Sequence, residues 1–305
     1  MFDTILVPLD GSPAAERALP YVALLPSRRV RLLQVFPDIT EWFHPSEPLL
    51  DAWRTGRADD AADYLWQAGA PLRQQGRQVD ETWAFGDPAA EIVAAARDAD
   101  LIAMTTHGRG LAERVALGSV ADRVARHAAT PTLLVRAGDH PVAGPPIAQL
   151  VVPLDGSPLA DQALPVAADL AALLRVPVRL IRALDVDLIR AVILAGPAAA
   201  AAYAGAQADL EREAVRDLDA RAATLRQRGL AVTTEIRRGA PIAELLDAIQ
   251  PADLVVLTSH GRGGVGRWLL GSVAEQLVRR AAGPVLLLHA RPIAAGQFAT
   301  ESEDR

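Results

Sequence analysis

Two short motifs each occur twice in this 305-residue chain, and this repeat limits how the chain can fold. The first, Val-Pro-Leu-Asp-Gly-Ser-Pro, stands at 7–13 and again at 152–158. The second, His-Gly-Arg-Gly, stands at 107–110 and again at 260–263, and in each copy nine residues separate its first glycine from a Gly-Ser-Val. The repeat indicates a duplicated domain of roughly 140 residues, a normal size for a domain with its own core.

Short apolar runs separated by helical patterns predict five strands in each copy. The runs hardly alternate between apolar and polar residues, which indicates strands buried on both faces of a parallel sheet. Asp87-Pro88 and Ala240-Pro241 supply helix starts between them. The sequence therefore predicts an α/β fold of two tandem, doubly wound, five-stranded domains. The expected strands are 4–9, 30–35, 78–83, 100–105 and 132–136, then 149–154, 177–182, 231–236, 253–258 and 284–289.

Composition along the chain predicts the domain boundaries. We expect domains at 1–137 and 149–290, a Pro- and Gly-rich linker at 138–148, and a mobile tail at 291–305 that has little to bury. Two further segments, 37–50 and 185–206, lack a regular pattern. The alanine run in 185–206 favours a packed surface helix over an interfacial helix or a lid. Its charged residues, Gly and Pro leave far fewer than the roughly 20 apolar residues of a membrane span.

The glycine-rich segment has the layout of an anion site. In each copy it follows an apolar strand and ends where a helix is expected to begin, at Gly118-Ser119 and at Gly271-Ser272. Glycine lets a ligand approach the backbone, and the first turn of a helix offers unpaired N–H groups at a positive dipole end. We expect Ser119 at the N-cap. A phosphate cradle is favoured over a strand-to-helix connection that needs glycine only for its backbone angles.

Asp10 and Asp155 follow the first strand of each copy, on the side of an open α/β sheet where ligands bind. A carboxylate in this position can accept hydrogen bonds from ribose hydroxyls. The alternative is a turn in which Ser12 and Ser157 cap the following helix. Because each aspartate occurs together with a glycine-rich segment, we favour a nucleotide contact.

Arginine and histidine complete the glycine-rich segments. Arg109 and Arg262 lie within them, and the guanidinium group suits the geometry of phosphate oxygens. His107 and His260 have no Cys, His or carboxylate at metal-ligand spacing, so packing or hydrogen bonding is favoured over a metal-binding or catalytic role. The sequence offers no convincing nucleophile elbow or paired carboxylates, and no catalytic residue is assigned.

The composition argues against several classes of protein. All 31 Lys-plus-Arg residues are arginine, so no lysine can serve in a Walker-A, kinase-type or Schiff-base role. Cysteine is absent, and with it disulfide and thiolate chemistry. A net charge of −6 gives no general attraction for nucleic acid. The first residues run straight into a predicted strand, from which we expect a cytoplasmic protein without a membrane partner.

The two motifs, at this spacing, resemble those of the universal stress protein family in its tandem two-domain form, over 1–136 and 149–290. The resemblance implies an adenine nucleotide alpha hydrolase-like fold and, in the nucleotide-binding branch, ATP, with Mg²⁺ carried on the phosphates. It also implies that the last strands of the two copies pair, which would make one chain an intramolecular pseudo-dimer; a homodimer of chains is the alternative.

The resemblance assigns nucleotide contacts residue by residue, with the adenine contact near Val35 and Ala183. One position departs from the family pattern, because Thr105 and Thr258 stand where its first glycine belongs. The Cβ of threonine would hinder binding if that residue needed a positive φ. The residues assigned to ATP are Pro8, Asp10, Val35, Thr105, His107, Gly108, Arg109, Gly118, Ser119 and Val120, and Pro153, Asp155, Ala183, Thr258, His260, Gly261, Arg262, Gly271, Ser272 and Val273.

Three functions are compatible with these motifs. The first is an ATP-binding stress-response or signalling protein with one site per domain and little or no turnover. The second is an enzyme of related fold that hydrolyses ATP or transfers adenylate, against which stands the lack of lysine and of catalytic carboxylates near the loops. The third is an interaction scaffold that binds no nucleotide. The first is favoured because both copies keep the aspartate and the Gly-Ser step.

Overall fold

The strands of the two copies join in one ten-stranded sheet. The computed structural model describes residues 2–41, 43–106, 117–136, 147–185, 197–259 and 270–289. The predicted linker, apart from residues 147 and 148, and the predicted tail lie outside these ranges. The strands are β1 (Thr4–Pro8), β2 (Arg29–Phe36), β3 (Gln78–Phe85), β4 (Leu101–Thr105), β5 (Thr132–Val135), β6 (Gln149–Pro153), β7 (Val178–Leu184), β8 (Val232–Arg238), β9 (Asp253–Thr258) and β10 (Val285–Leu288).

Each copy contains the predicted five parallel strands. Their order across the sheet is β3-β2-β1-β4-β5-β10-β9-β6-β7-β8, so the two halves are arranged alike. Every residue of β1 and of β4 is buried, as expected of central strands covered on both faces. The α/β fold is confirmed, and the observed strand ends lie within two residues of the predicted ones.

Helices cover both faces of the sheet and enclose two apolar cores. One face carries α1 (Leu19–Leu24), α2 (Glu47–Gln74), α5 (Pro158–Asp161), α6 (Ala163–Leu174) and α7 (Pro197–Gln227). The other carries α3 (Pro88–Ala95), α4 (Ser119–His127), α8 (Pro241–Ala248) and α9 (Ser272–Arg280). Short 3-10 helices occupy Ala15–Ala18, Ile39–Glu41 and Ala96–Asp98.

The two longest helices start inside segments that showed no regular pattern in the sequence. The prediction of irregular structure is wrong for 47–50, which belongs to α2, whereas the helix favoured within 185–206 is confirmed over 197–206, which belongs to α7. Each helix buries one narrow stripe, and the two stripes occupy matching positions. Among the described residues, no helix combines the length and the apolar character that a bilayer span requires. The stripes are Ala61, Leu65 and Leu72 in α2, and Ala214, Leu218 and Leu225 in α7.

The last strands of the two copies join the halves of the sheet. β5 and β10 pair antiparallel, with Leu134 opposite Val285 and Thr132 opposite Leu287. All residues of both strands are buried. Each strand would otherwise be an exposed sheet edge, so the pairing covers the apolar edge that either copy alone would present.

Four charged side chains cross the same junction. Arg126 of α4 pairs with Asp122 on its own helix and with Glu275 of α9 at 3.2 Å. Arg279 of α9 pairs with Glu275 and, at 3.3 Å, with Asp122. The four side chains are 20% to 30% exposed, so their charges are partly removed from water. They form a closed ring of zero net charge that ties α4 to α9.

We predict a measurable coupling across this ring. A double-mutant cycle on Arg126→Ala and Glu275→Ala, followed by urea unfolding, should give a coupling free energy of about 0.5–1 kcal/mol that shrinks in 1 M NaCl. The pair Arg212 and Asp209, with side chains 71% and 69% exposed, is the control and should couple weakly. A coupling across the ring no larger than in this control would contradict the prediction.

Candidate functional site

The candidate sites lie at the carboxyl ends of β1 and β4 in the first copy and of β6 and β9 in the second. β1 pairs with β2 on one side and β4 on the other, and β6 pairs in the same way with β7 and β9. The chain therefore leaves the central pair of strands in opposite directions, which opens the crevice where ligands bind in open α/β sheets. The aspartate turn follows one strand of each pair, and the glycine-rich segment follows the other.

The aspartates shape the turns that contain them. Asp10 Oδ1 accepts hydrogen bonds from the Ser12 N–H at 2.9 Å and from the Ser12 hydroxyl at 2.6 Å. Asp155 Oδ1 accepts one from the Ser157 N–H at 2.8 Å. The structural alternative is thus partly right for the aspartates.

The serines of these turns cap the segments that follow. Ser157 is the N-cap of α5, and its hydroxyl accepts a hydrogen bond from the Ala160 N–H at 3.2 Å. The Ser12 hydroxyl accepts one from the Ala15 N–H at the same distance. The predicted capping is confirmed at Ser157, whereas Ser12 makes the same hydrogen bond but Ala14 is the N-cap of the 3-10 helix Ala15–Ala18.

The glycine-rich segment leaves the sheet and returns to it at one place. The Gly118 N–H donates to the Thr106 carbonyl at 2.7 Å, and the Gly271 N–H donates to the Ser259 carbonyl at 2.8 Å. Leu117 and Leu270, just before these glycines, are buried in the core on the face of the sheet that carries α3, α4, α8 and α9. The described residues on either side of each glycine-rich segment are thus held together by a backbone hydrogen bond. Six predicted contacts lie outside the described residues: His107, Gly108, Arg109, His260, Gly261 and Arg262.

The threonines that replace the first motif glycine sit in ordinary strand geometry. Thr105 and Thr258 are the last residues of β4 and β9, and each is 6% exposed. Among the described non-glycine residues, positive φ occurs at Arg175 alone. The threonines therefore meet no positive-φ requirement.

The N-cap of each helix that follows a glycine-rich segment lies one residue earlier than predicted. Gly118, and not Ser119, is the N-cap of α4, so that prediction is wrong; Gly271 takes the same place before α9. Ser119 and Ser272 are exposed first residues of their helices. Both glycines have a φ of −59°, which any L-residue can adopt. Backbone angles therefore do not require glycine at these positions.

The remaining predicted contacts line the apolar side of the crevice. Val35 and Ala183 stand next to the last residues of β2 and β7, partly buried. They pack against the same core as Val120 and Val273 at the starts of α4 and α9. The structure thus places an apolar surface beside each glycine cap. The last residues of the central strands β1 and β6 are Pro8 and Pro153.

One ion pair fixes the edge of the first site and has no counterpart in the second. Arg123 of α4 donates to Asp87, the N-cap of α3, at 2.6 Å. This hydrogen bond, with a second from the Ala90 N–H, lowers the pKa of Asp87 below its usual range. The matching positions of the second copy hold Ala240 and Gln276, which cannot form an ion pair. The start of α4 is therefore held by a contact that α9 lacks.

A cluster of charged residues beside the second turn was not predicted from the sequence. Arg182 of β7 lies against Gly156 and pairs with Asp217 of α7 at 3.1 Å. The matching strand position in the first copy is Gln34, which is 6% exposed. The signal was available, because aligning the two copies position by position shows an arginine opposite a glutamine.

The comparison with known proteins agrees with this architecture. The model of the universal stress protein family matches residues 1–136 and 147–289. The chain belongs to the universal stress protein family. Universal stress protein Rv2005c of Mycobacterium tuberculosis is 27% identical over 294 residues, which cover 93% of this chain and 96% of the relative. Universal stress protein Rv2623 of the same organism is 28% identical over 295 residues, 93% of this chain and 95% of the relative.

A solved structure shows the same tandem fold. The crystal structure of a universal stress protein from Archaeoglobus fulgidus superposes with a TM-score of 0.68 at 21% identity, covering 94% of this chain and 96% of that one. At this identity the likeness concerns the fold alone. Two tandem universal stress protein domains are therefore established.

The glycines of the site should differ in what they tolerate. Gly156 has a φ of +82°, so Gly156→Ala should lower the free energy of unfolding by about 1–2 kcal/mol. Gly271→Ser, at a φ of −59° and an N-cap, should change it by less than about 1 kcal/mol. Urea unfolding of the two variants checks the difference. Equal destabilisation would show that the Gly271 position is governed by its backbone after all.

Proposed function

We propose that this universal stress protein binds one ATP in each domain and acts in stress response or signalling through the occupancy of these sites. One observation carries the proposal: both copies place an Asp-Gly-Ser turn and a glycine N-cap at the same crevice of a parallel sheet. Each element has a structural explanation of its own. Their recurrence in one place, with glycines that the backbone does not demand, favours a ligand.

The proposed roles follow from the chemistry at each position. The first-turn N–H groups of α4, after Gly118, would hold the phosphates, and the dipole of the helix favours their negative charge. Asp10 would accept hydrogen bonds from the ribose, and the apolar surface at Val35 would take the adenine. Asp155, Ala183 and the start of α9 would do the same in the second domain. Mg²⁺ would be carried on the phosphates.

The proposal includes little or no turnover of the bound ATP. Phosphoryl-transfer enzymes place lysine, arginine or metal against the transferred phosphate, and a carboxylate or glutamine that orients the attacking group. This chain has no lysine. Its aspartates at the crevice hold turns, and they lie where a ribose rather than a terminal phosphate is expected.

We also propose that one chain works as an intramolecular pseudo-dimer. The β5–β10 pairing and the ring of four charges supply the contacts that two separate domains would need to associate. They also bring α4 and α9, whose first turns belong to the two proposed sites, against each other.

Blocking one glycine cap at a time tests the proposal most sharply. Gly118→Val should abolish ATP binding in the first domain, and Gly271→Val in the second, because a branched side chain fills the place of the phosphates. Competition with a fluorescent ATP analogue should show each single variant with half the capacity and the double variant with none. Thermal unfolding serves as the control for folding. Full capacity in the double variant would refute the cradle.

The role of the aspartate is separable from that of its turn. Asp10→Asn keeps an oxygen that accepts from the Ser12 N–H, whereas Asp10→Ala removes it. In a Gly271→Val background, Asp10→Ala should lower the affinity for ATP about tenfold or more, since the ribose contact is lost. The affinity for inorganic tripolyphosphate should change by less than about threefold. The ATP affinity of Asp10→Asn should lie between those of Asp10→Ala and the unaltered residue. If both ligands weaken equally in competition assays, the aspartate acts only through the turn.

A further inference from the structure

The two aspartate turns rest on different sets of side chains. The register of β1 with β2 and of β6 with β7 makes Gln34 the counterpart of Arg182. The buried stripes of the long helices align Tyr64 and Ala68 of α2 with Asp217 and Arg221 of α7. Glu16 and Asp161 occupy the same place after the Asp-Gly-Ser-Pro motif.

In the second domain, an arginine packs directly on the turn. A Cβ added to Gly156 would lie 2.9 Å from a guanidinium nitrogen of Arg182, so the guanidinium fills the space that glycine leaves open. The Arg182 side chain is 13% exposed and donates to Asp217 at 3.1 Å. The position of the turn is thereby linked to α7.

Arg221 extends this contact into a neutral network. It donates to Asp217 and, with two hydrogen bonds of 2.6 and 2.9 Å, to Asp161 of α5. These hydrogen bonds raise the pKa of Arg221 further above its usual value, so the cation is permanent. Arg182 and Arg221 balance Asp161 and Asp217, which leaves no net charge beside the second turn.

In the first domain, the same four positions carry one net negative charge. The Oε1 atom of the buried Gln34 has no hydrogen-bond partner among the described residues. The Tyr64 hydroxyl lies beside Glu16 and the Gly11 N–H, without a well-formed hydrogen bond to either. Burial raises the pKa of Tyr64 far above its usual range, and Glu16 raises it further, so the phenol is neutral. Within the described part of the chain, no arginine forms an ion pair with Glu16.

Two arginines at the outer edges of the domains do not add to this difference. Arg57, in the first half of α2, is 46% exposed and pairs with Asp60 at 3.6 Å. Arg238, at the matching edge of the second domain, is 63% exposed and pairs with Glu211. Both are compensated and screened by solvent.

We infer that the two nucleotide sites are unequal, and that Arg182 is a positioning residue that makes the second site the tighter one for polyphosphate nucleotides. The inference rests on the proposed function. One unit of charge about 10 Å from a polyanion, at an effective dielectric of about 40, changes affinity by roughly fivefold. The packed turn adds to this by reducing the ordering that binding requires. ATP should therefore bind the second site about five- to tenfold more tightly than the first, with a much smaller difference for uncharged adenosine.

The experiment measures each site alone. Gly118→Val leaves the second site and Gly271→Val the first, and calorimetry gives the affinities of both for ATP and adenosine at 50 mM and 500 mM NaCl. In the Gly118→Val background, Arg182→Gln should reduce the preference for ATP to that of the first site. Arg182→Lys, which keeps the charge, should restore part of it. Should Arg182→Gln fold poorly, the triple change Arg182→Gln, Asp217→Tyr and Arg221→Ala gives the second domain the side chains of the first at these three positions and the same net charge of −1.

A gain of affinity in the first domain tests the same inference without disturbing the network. In the Gly271→Val background, Glu16→Gln keeps the shape of the side chain and removes the uncompensated charge. ATP affinity should rise several-fold at low salt, whereas adenosine affinity should not change. Asp98→Asn removes an exposed charge at the amino edge of β4, away from the site, and is the matched control.

The outcomes separate the inference from the function on which it rests. Equal affinities at the two sites, together with no effect of Arg182→Gln or Glu16→Gln, would overturn the inference and leave ATP binding intact. If Arg182→Gln lowers the affinities for ATP and for adenosine by the same factor, the role of Arg182 is purely structural, and this result would also overturn the inference. No binding at either site of the unaltered protein would refute the proposed function and the inference together.

Discussion

The hydrogen bonding of β1 to β4, and of β6 to β9, is the constraint on which both candidate sites depend. Parallel strands send their connections out at the same edge, so two segments that are about 100 residues apart in sequence meet at one crevice. One brings a carboxylate held in a tight turn. The other brings a glycine N-cap and the first turn of a helix. Substitutions at the crevice are therefore tolerated only if they leave the strand pairing and the apolar cores beneath it undisturbed.

Duplication gives the molecule its second organising contact. The apolar edge that each domain would expose is covered by the same edge of the other, and the charges of α4 and α9 close over that junction. Asp122 and Glu275 serve two purposes there. Their backbone N–H groups donate to the carbonyls of Gly118 and Gly271, and their carboxylates pair with arginines of the other helix. The glycine caps of the two domains are thus joined through four successive contacts, by way of Asp122, an arginine and Glu275.

Most of the framework could be predicted from the sequence because its signals are local and occur twice. Unalternated apolar runs mark buried strands such as β1 and β4, and a proline after an N-cap marks the start of α3. The long helices were harder, because Gly56, Gly69 and Pro71 interrupt α2 and only a narrow stripe of it is buried. The N-cap at Gly118 was misplaced by one residue, since Gly and Ser both suit a cap and the choice depends on the hydrogen bond to Thr106.

The candidate sites could be predicted only in part. Asp10, Gly118 and their counterparts stand out because motifs carry them. Arg182 does not, because its role comes from contacts with Gly156 and Asp217, which are distant in sequence and meet only in the fold. Such contacts can be suspected by aligning the two copies, at positions where one copy has a neutral residue and the other a charged one.

Calorimetric titration of the unaltered protein with ATP and Mg²⁺ tests the central claim most directly. Denaturing extraction of one sample measures any nucleotide that copurifies, and a second sample is stripped of nucleotide and then titrated. We predict that the stripped protein binds one ATP per domain. Absence of binding heat in stripped protein, with no copurified nucleotide, would contradict the account and indicate a folded interaction module with the shape of a phosphate site and another use.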